Sequence, residues 1–188
     1  MKQAVIFLGL ALASGAARAE NLDINLSDST LRGVYGVPMT GRLGGDLEFG
    51  ALLGERSDRS FQQLHAGLLV TGDAGARDAT VTAGIGGRLF VLNGEGGADG
   101  GGLALGGMVD ARLPAFNRLG VIGYGYGAPS ASTFGDFDGW YEYAVSLDYQ
   151  VLQGASVYLG WRQVKVDVDG GGTYTADTGF HFGVRLNF

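Results

Sequence analysis

Over residues 141–151 the chain alternates without interruption. Tyr141, Tyr143, Val145, Leu147, Tyr149 and Val151 take one set of positions; Glu142, Ala144, Ser146, Asp148 and Gln150 take the other. Successive side chains of a strand point to opposite faces, so this pattern predicts a strand with one apolar and one polar face and leaves no room for a helix. The same dyad recurs. Leu47, Phe49, Ala51 and Leu53 alternate with Asp46, Glu48 and Gly50, and Leu64, Ala66, Leu68 and Val70 with His65, Gly67 and Thr71. Val81, Ala83, Ile85, Leu89 and Val91 stand against Thr82, Gly84, Gly86 and Arg88; Leu103, Leu105, Val109, Ala111 and Leu113 stand against Asp110 and Arg112. Each run is close to the roughly 9–11 residues that a tilted membrane strand requires.

Further runs cover 119–127, 157–168 and 180–188, with two shorter ones at 22–27 and 31–37. The 157–168 run changes phase near Arg162 to Val164, where a β-bulge is expected. Connections at 167–177, 127–139 and 93–101 read as long and those at 152–155 and 114–118 as short, the alternation of barrels with short periplasmic turns and longer outer loops. The expected fold is therefore all-β, a closed antiparallel up-and-down transmembrane barrel. Ten strands are preferred, an even number that returns both termini to the periplasmic side; eight result if 22–37 is largely a lead-in.

The first nineteen residues change the picture of destination. Lys2, an apolar stretch over 4–13 and Ala17-Arg18-Ala19 make a secretory signal with an A-x-A cleavage site, so 1–19 is expected to be removed and 20–188 to form the barrel domain. The apolar stretch is shorter than the roughly 20 residues of a spanning helix. Loss of Lys2 and Arg18 makes a chain of formal charge −6 more acidic still, and Lys165 is then its one lysine. That balance speaks against a nucleic-acid partner, which wants clustered cations. Cysteine is absent, so neither disulfides nor a lipidated cysteine are expected. Glycine supplies 36 of 188 residues, against an average near 7%, and suits a curved sheet with a crowded interior.

Dyad strands also build soluble sandwiches, and the polar face discriminates. It carries Asp46, Glu48, Asp110, Glu142 and Asp148 beside Arg32, Arg88, Arg112, Arg162 and Arg185, a near balance without lysine. Arginine is suited to buried bidentate pairing with carboxylates. With His65 these residues, Arg32 apart, form the candidate lumen network. Trp140, Tyr141, Tyr143, Tyr158 and Trp161 are candidates for an interfacial aromatic belt. The chain closes on His181-Phe182-Gly183-Val184-Arg185-Leu186-Asn187-Phe188, similar to the terminal signal by which outer-membrane proteins are recognised for insertion. His181, Gly183, Leu186 and Phe188 are its candidate elements, on a last strand whose edge the assembly machinery can pair with.

Residues 22–28 with Leu31-Arg32, the block 155–162 and the closing 179–186 resemble the YfaZ family of outer-membrane proteins. The resemblance spans the chain beyond the signal. Its motifs are structural, so it implies location and fold and no reaction, ligand or cofactor.

Candidate chemistry is sparse. His65 and His181 are the two histidines; both fall on the inward face, with Asp46 and Glu48 expected near His65. No G-x-S-x-G elbow accompanies either. No metal-ligand spacing is present, and Asp167-Val168-Asp169-Gly170-Gly171-Gly172 lacks the spaced ligands and terminal Glu of a calcium loop. The expectation is a non-enzymatic, cofactor-free, monomeric barrel in outer-membrane lipid with a charged, largely filled lumen and a structural or minor-pore role. A lipid-modifying or hydrolytic enzyme and a loop-mediated binder are the alternatives.

Overall fold

The computed structural model describes residues 20–39, 45–56, 59–75, 80–94, 98–112 and 114–188. The signal segment and Leu113 lie outside them. Strands follow the dyads: β1 (Asn21–Ser27), β2 (Thr30–Pro38), β3 (Asp46–Arg56), β4 (Arg59–Asp73), β5 (Thr80–Gly94), β6 (Asp99–Arg112), β7 (Leu119–Pro129), β8 (Thr133–Gly135), β9 (Phe137–Leu152), β10 (Ala155–Val168) and β11 (Gly172–Asn187). All pairings are antiparallel. Apart from the three-residue β8, which pairs with β6, each strand pairs with the next, and β11 returns to β1 with Leu22 opposite Leu186. Reciprocal backbone hydrogen bonds between Glu20 and Phe188 complete the seam. The result is a closed barrel of ten long strands.

Closure leaves no sheet edge to be satisfied elsewhere. One face of every strand then turns outward, and it is the apolar one. Ile85, Leu89, Leu105, Val145, Leu147, Leu159 and Phe182 are exposed on the outer wall, while Glu142, Asp148, Arg162 and Arg88 are buried inside. Outward exposure of so many large apolar side chains is the reverse of a soluble sandwich.

The glycines account for how the interior fits. Gly50 lies opposite His65, Gly54 opposite Phe61, Gly160 opposite His181 and Gly183 opposite Tyr158. A Cβ at Gly50 would come within 2.1 Å of the His65 ring, and one at Gly183 within 2.2 Å of Tyr158. Each large inward side chain thus lies across a neighbouring backbone that has no side chain of its own.

Three expectations are corrected. Alternation along β10 runs unbroken past Arg162; the expected β-bulge is present but falls between Val164 and Lys165, and its extra residue is Ala176 on β11. What the sequence shows as a change of phase is a change in the inward face, from Ser156, Tyr158 and Arg162 to Val164 and Val166. Second, the connections taken as long are mostly strand: β10 reaches Val168 and β11 begins at Gly172, and the segment after β7 folds as a single 3-10 turn and β8. Third, Trp140 and Tyr158 are buried inside the barrel rather than on its belt.

Candidate functional site

The interior divides into two layers of opposite character. At the end that carries both termini, the wall is polar and encloses a cavity of about 510 Å³ lined by Asp23, Arg32, Asp46, Glu48, Arg88, Asp110, Arg112, Asp148 and Arg185 together with Tyr124 and Tyr126. Towards the other end the lumen is filled by Leu52, Phe61, Phe90, Leu92, Phe137, Trp140, Val164 and Val166. Phe90 and Trp140 stack across it with ring centroids 4.4 Å apart. The polar layer forms a vestibule, and the apolar layer is a septum of packed side chains beyond it.

The vestibule wall carries a continuous chain of ion pairs. Arg112 Nη2 meets Asp110 Oδ2 at 3.2 Å and Asp148 Oδ1 at 2.6 Å; Arg185 meets Asp148 Oδ2 at 3.4 Å and Asp23 Oδ2 at 3.0 Å. Ser156 Oγ donates to Asp148 Oδ2 at 2.7 Å, and the Tyr158 hydroxyl donates to Asp23. Asp148 is wholly buried, so this density of donors is what its charge requires.

The floor is a second group. Arg88 Nη2 meets Glu48 Oε2 at 3.0 Å, and Glu142 lies between Arg88 Nη1, at 3.9 Å, and Arg32 Nε, at 3.7 Å. Tyr124 donates to Glu142 at 2.8 Å, and the Arg88 guanidinium lies 3.8 Å from the Tyr126 ring centroid. Gln63 ties floor to septum: its amide donates to Glu142 at 3.5 Å, and its carbonyl oxygen accepts from Trp140 Nε1 at 3.2 Å.

A third group stands apart. Arg162, the largest fully buried charged side chain, donates from Nε to Asp177 Oδ2 at 2.6 Å, from Nη1 to Asn25 at 2.8 Å and from Nη2 to Thr30 at 3.0 Å.

The ten residues expected in one lumen network thus fall into separate groups. Glu48, Arg88 and Glu142 are on the floor; Asp110, Arg112, Asp148 and Arg185 are on the wall; Arg162 pairs elsewhere. Asp46 lines the mouth, and no ion pair reaches it among the described residues. His65 is buried with neither ring nitrogen hydrogen-bonded among the described residues, so the carboxylates expected beside it do not engage it. Asp23, Asn25, Tyr124 and Asp177 are members that the sequence reading passed over. Asp177 lay in a stretch read as loop; Asp23 and Asn25 alternate with Leu22, Ile24 and Leu26 and were legible.

Of the terminal-strand residues, His181 is buried inside, Gly183 lies against Tyr158, and Leu186 and Phe188 face outward. No three His, Cys, Asp or Glu side chains converge as a metal site would need among the described residues.

The family model described as YfaZ precursor matches residues 2–188. The chain belongs to the YfaZ family. None of the curated proteins matches it in sequence. Among solved structures, this YfaZ chain is similar to the KdgM porin in complex with disordered oligogalacturonate, at 10% identity and a TM-score of 0.41 over 91% of this chain and 99% of that one. It is also similar to the DcaP channel of Acinetobacter baumannii, at 10% identity and a TM-score of 0.34 over 89% and 62% of the two chains. The third is the outer-membrane protein OmpT of Vibrio cholerae, at 10% identity and a TM-score of 0.32 over 89% and 64%.

Proposed function

We propose that this YfaZ protein is an integral outer-membrane barrel with a blind interior: a charged vestibule open on the periplasmic side, where both termini lie, and closed towards the cell surface by the septum. The septum carries this reading: Phe90 stacks on Trp140 across the lumen, and Leu52, Leu92, Val164 and Val166 pack in the same buried apolar cluster. The outer wall supports the location. Its exposed apolar side chains have no partner in water, and lipid is the solvent that accepts them.

Structural or retention roles follow more directly from a blind vestibule than solute flux does, and a minor pore would require the septum to part. An enzymatic reading gains no support from the histidines, since neither His65 nor the Nδ1 of His181 hydrogen-bonds an orienting group among the described residues. Surface binding finds little support in connections as short as those after β1 and β10. The test is recording from refolded protein in planar bilayers. Folded but silent protein is expected; discrete steps that scale with salt would overturn the blind interior.

A further inference from the structure

Among the described residues five arginines point into this barrel, and one of them makes no hydrogen bond. Arg162, Arg112 and Arg185 each make three hydrogen bonds, and Arg88 makes one. Arg32 makes none among the described residues. Its one ion pair is the 3.7 Å approach of Nε to Glu142, and its guanidinium lies 5.4 Å from the Tyr124 ring centroid. Yet Arg32 is 94% buried, being only 6% exposed. A guanidinium in a low-dielectric interior normally has its donors matched, because an unmatched buried donor costs about 1–3 kcal/mol and a charged one more. Arg32 lines the vestibule, and none of its nitrogens is among the sealed, unpartnered atoms. Its free donors therefore face the cavity.

Three of the surrounding carboxylates, Asp46 at the mouth apart, are committed elsewhere. Glu142 is held by Tyr124 and Gln63, Glu48 by Arg88, and Asp23 by Arg185, Tyr158 and Asn25. None can swing onto the Arg32 fork without leaving another buried group unpaired.

We propose that Arg32 is the recognition group of an oxyanion site on the vestibule floor, taking the carboxylate or phosphate of a small polar solute that enters from the termini end. The planar fork presents parallel N–H donors at the spacing of two carboxylate or phosphate oxygens. Arg32 is already buried beside Glu142 and Tyr124, so little side-chain freedom is lost on binding. At about 510 Å³ the vestibule is in the range of small-molecule sites. This inference rests on the vestibule described above but not on its being blind. Conductance tests the septum; binding tests Arg32.

The experiment is isothermal titration of folded protein in detergent micelles with inorganic phosphate and, separately, with acetate, in chloride buffer of constant ionic strength. Saturable one-site binding of either anion is expected. Stronger phosphate binding assigns a phosphorylated solute and stronger acetate binding a carboxylated one; either supports the site. Arg32→Gln should weaken binding by about tenfold or more, the size of a lost charge-assisted hydrogen bond. Arg118→Gln, which removes an exposed charge from the β6–β7 connection, should leave it unchanged. Should Arg32→Gln fail to fold, Arg32→Lys keeps the charge without the fork and is expected to bind several-fold more weakly. Absence of saturable binding in the unsubstituted protein, or equal affinity in the folded Arg32 variant, would overturn the proposal.

Discussion

Phe90 on β5 and Trp140 on β9 stack face to face, their planes 26° apart, although their strands are not neighbours in the sheet. The contact spans the lumen. Around it Leu52, Phe61, Leu92, Phe137, Val164 and Val166 complete one apolar layer, and beneath it Gln63 links the indole to Glu142 and the charged floor. The apolar layer and the charged floor are thus parts of one continuous packing arrangement.

Arg162 and Asp177 give the sharpest stability test. Both are buried, and the pair is backed by Asn25 and Thr30. Removing one partner strands the other's charge, so Asp177→Ala should cost about 3–5 kcal/mol. Replacing both with apolar residues should cost less than the single change. Urea midpoints for refolding into lipid vesicles read the difference, and additive losses would contradict the pairing.

Gly50→Ala places a methyl group against the His65 ring. Overpacking of this kind costs about 1–3 kcal/mol, and His65→Ala in the same chain should restore most of it. Gly33 faces open space on the outer side of β2, so Gly33→Ala should be close to neutral. Equal effects at the two glycines in the same vesicle refolding assay would contradict the assigned facing of β2 and β3.

Leu89 stands on the outer wall, 62% exposed. If that wall meets lipid, Leu89→Arg should destabilise the protein by about 2–4 kcal/mol in bilayers. The same substitution on a water-facing wall would change stability by no more than about 0.5 kcal/mol, which is the outcome that would argue against a membrane.

How much of this was legible follows from which face a residue occupies. The outer wall was readable because lipid selects one class of side chain at every second position, as at Tyr143, Val145 and Leu147. The inner face is under no uniform selection. It is polar at Asp148 and Glu142, apolar at Val164 and Val166, and empty at Gly50. Where it turns apolar the alternation disappears, so Ala51-Leu52-Leu53 and Phe90-Val91-Leu92 hide Leu52, Phe90 and Leu92 among lipid-facing neighbours. The septum was invisible for that reason, and Trp140 read as an interfacial residue. The charges were visible as a set, but their grouping was not, because partners such as Arg162 and Asn25 lie 137 positions apart in sequence.

The last strand makes a prediction about assembly. Leu186 on β11 and Phe188 just beyond it are exposed, where the seam with β1 closes. Phe188→Ala with Leu186→Ala should leave the protein in the periplasm, read by fractionation and by loss of the folded, heat-modifiable band. Normal outer-membrane yield would refute an insertion role for this strand.

The most direct test of the blind interior is a paired bilayer recording of the unsubstituted protein and a Phe90→Ala, Trp140→Ala variant, each verified as folded by its gel mobility. The unsubstituted barrel should be silent and the variant should show discrete, salt-dependent steps, since removal of the stacked rings leaves the charged floor in contact with the far end. Conductance from the unsubstituted barrel, equal to that of the variant, would contradict a septum that closes the lumen.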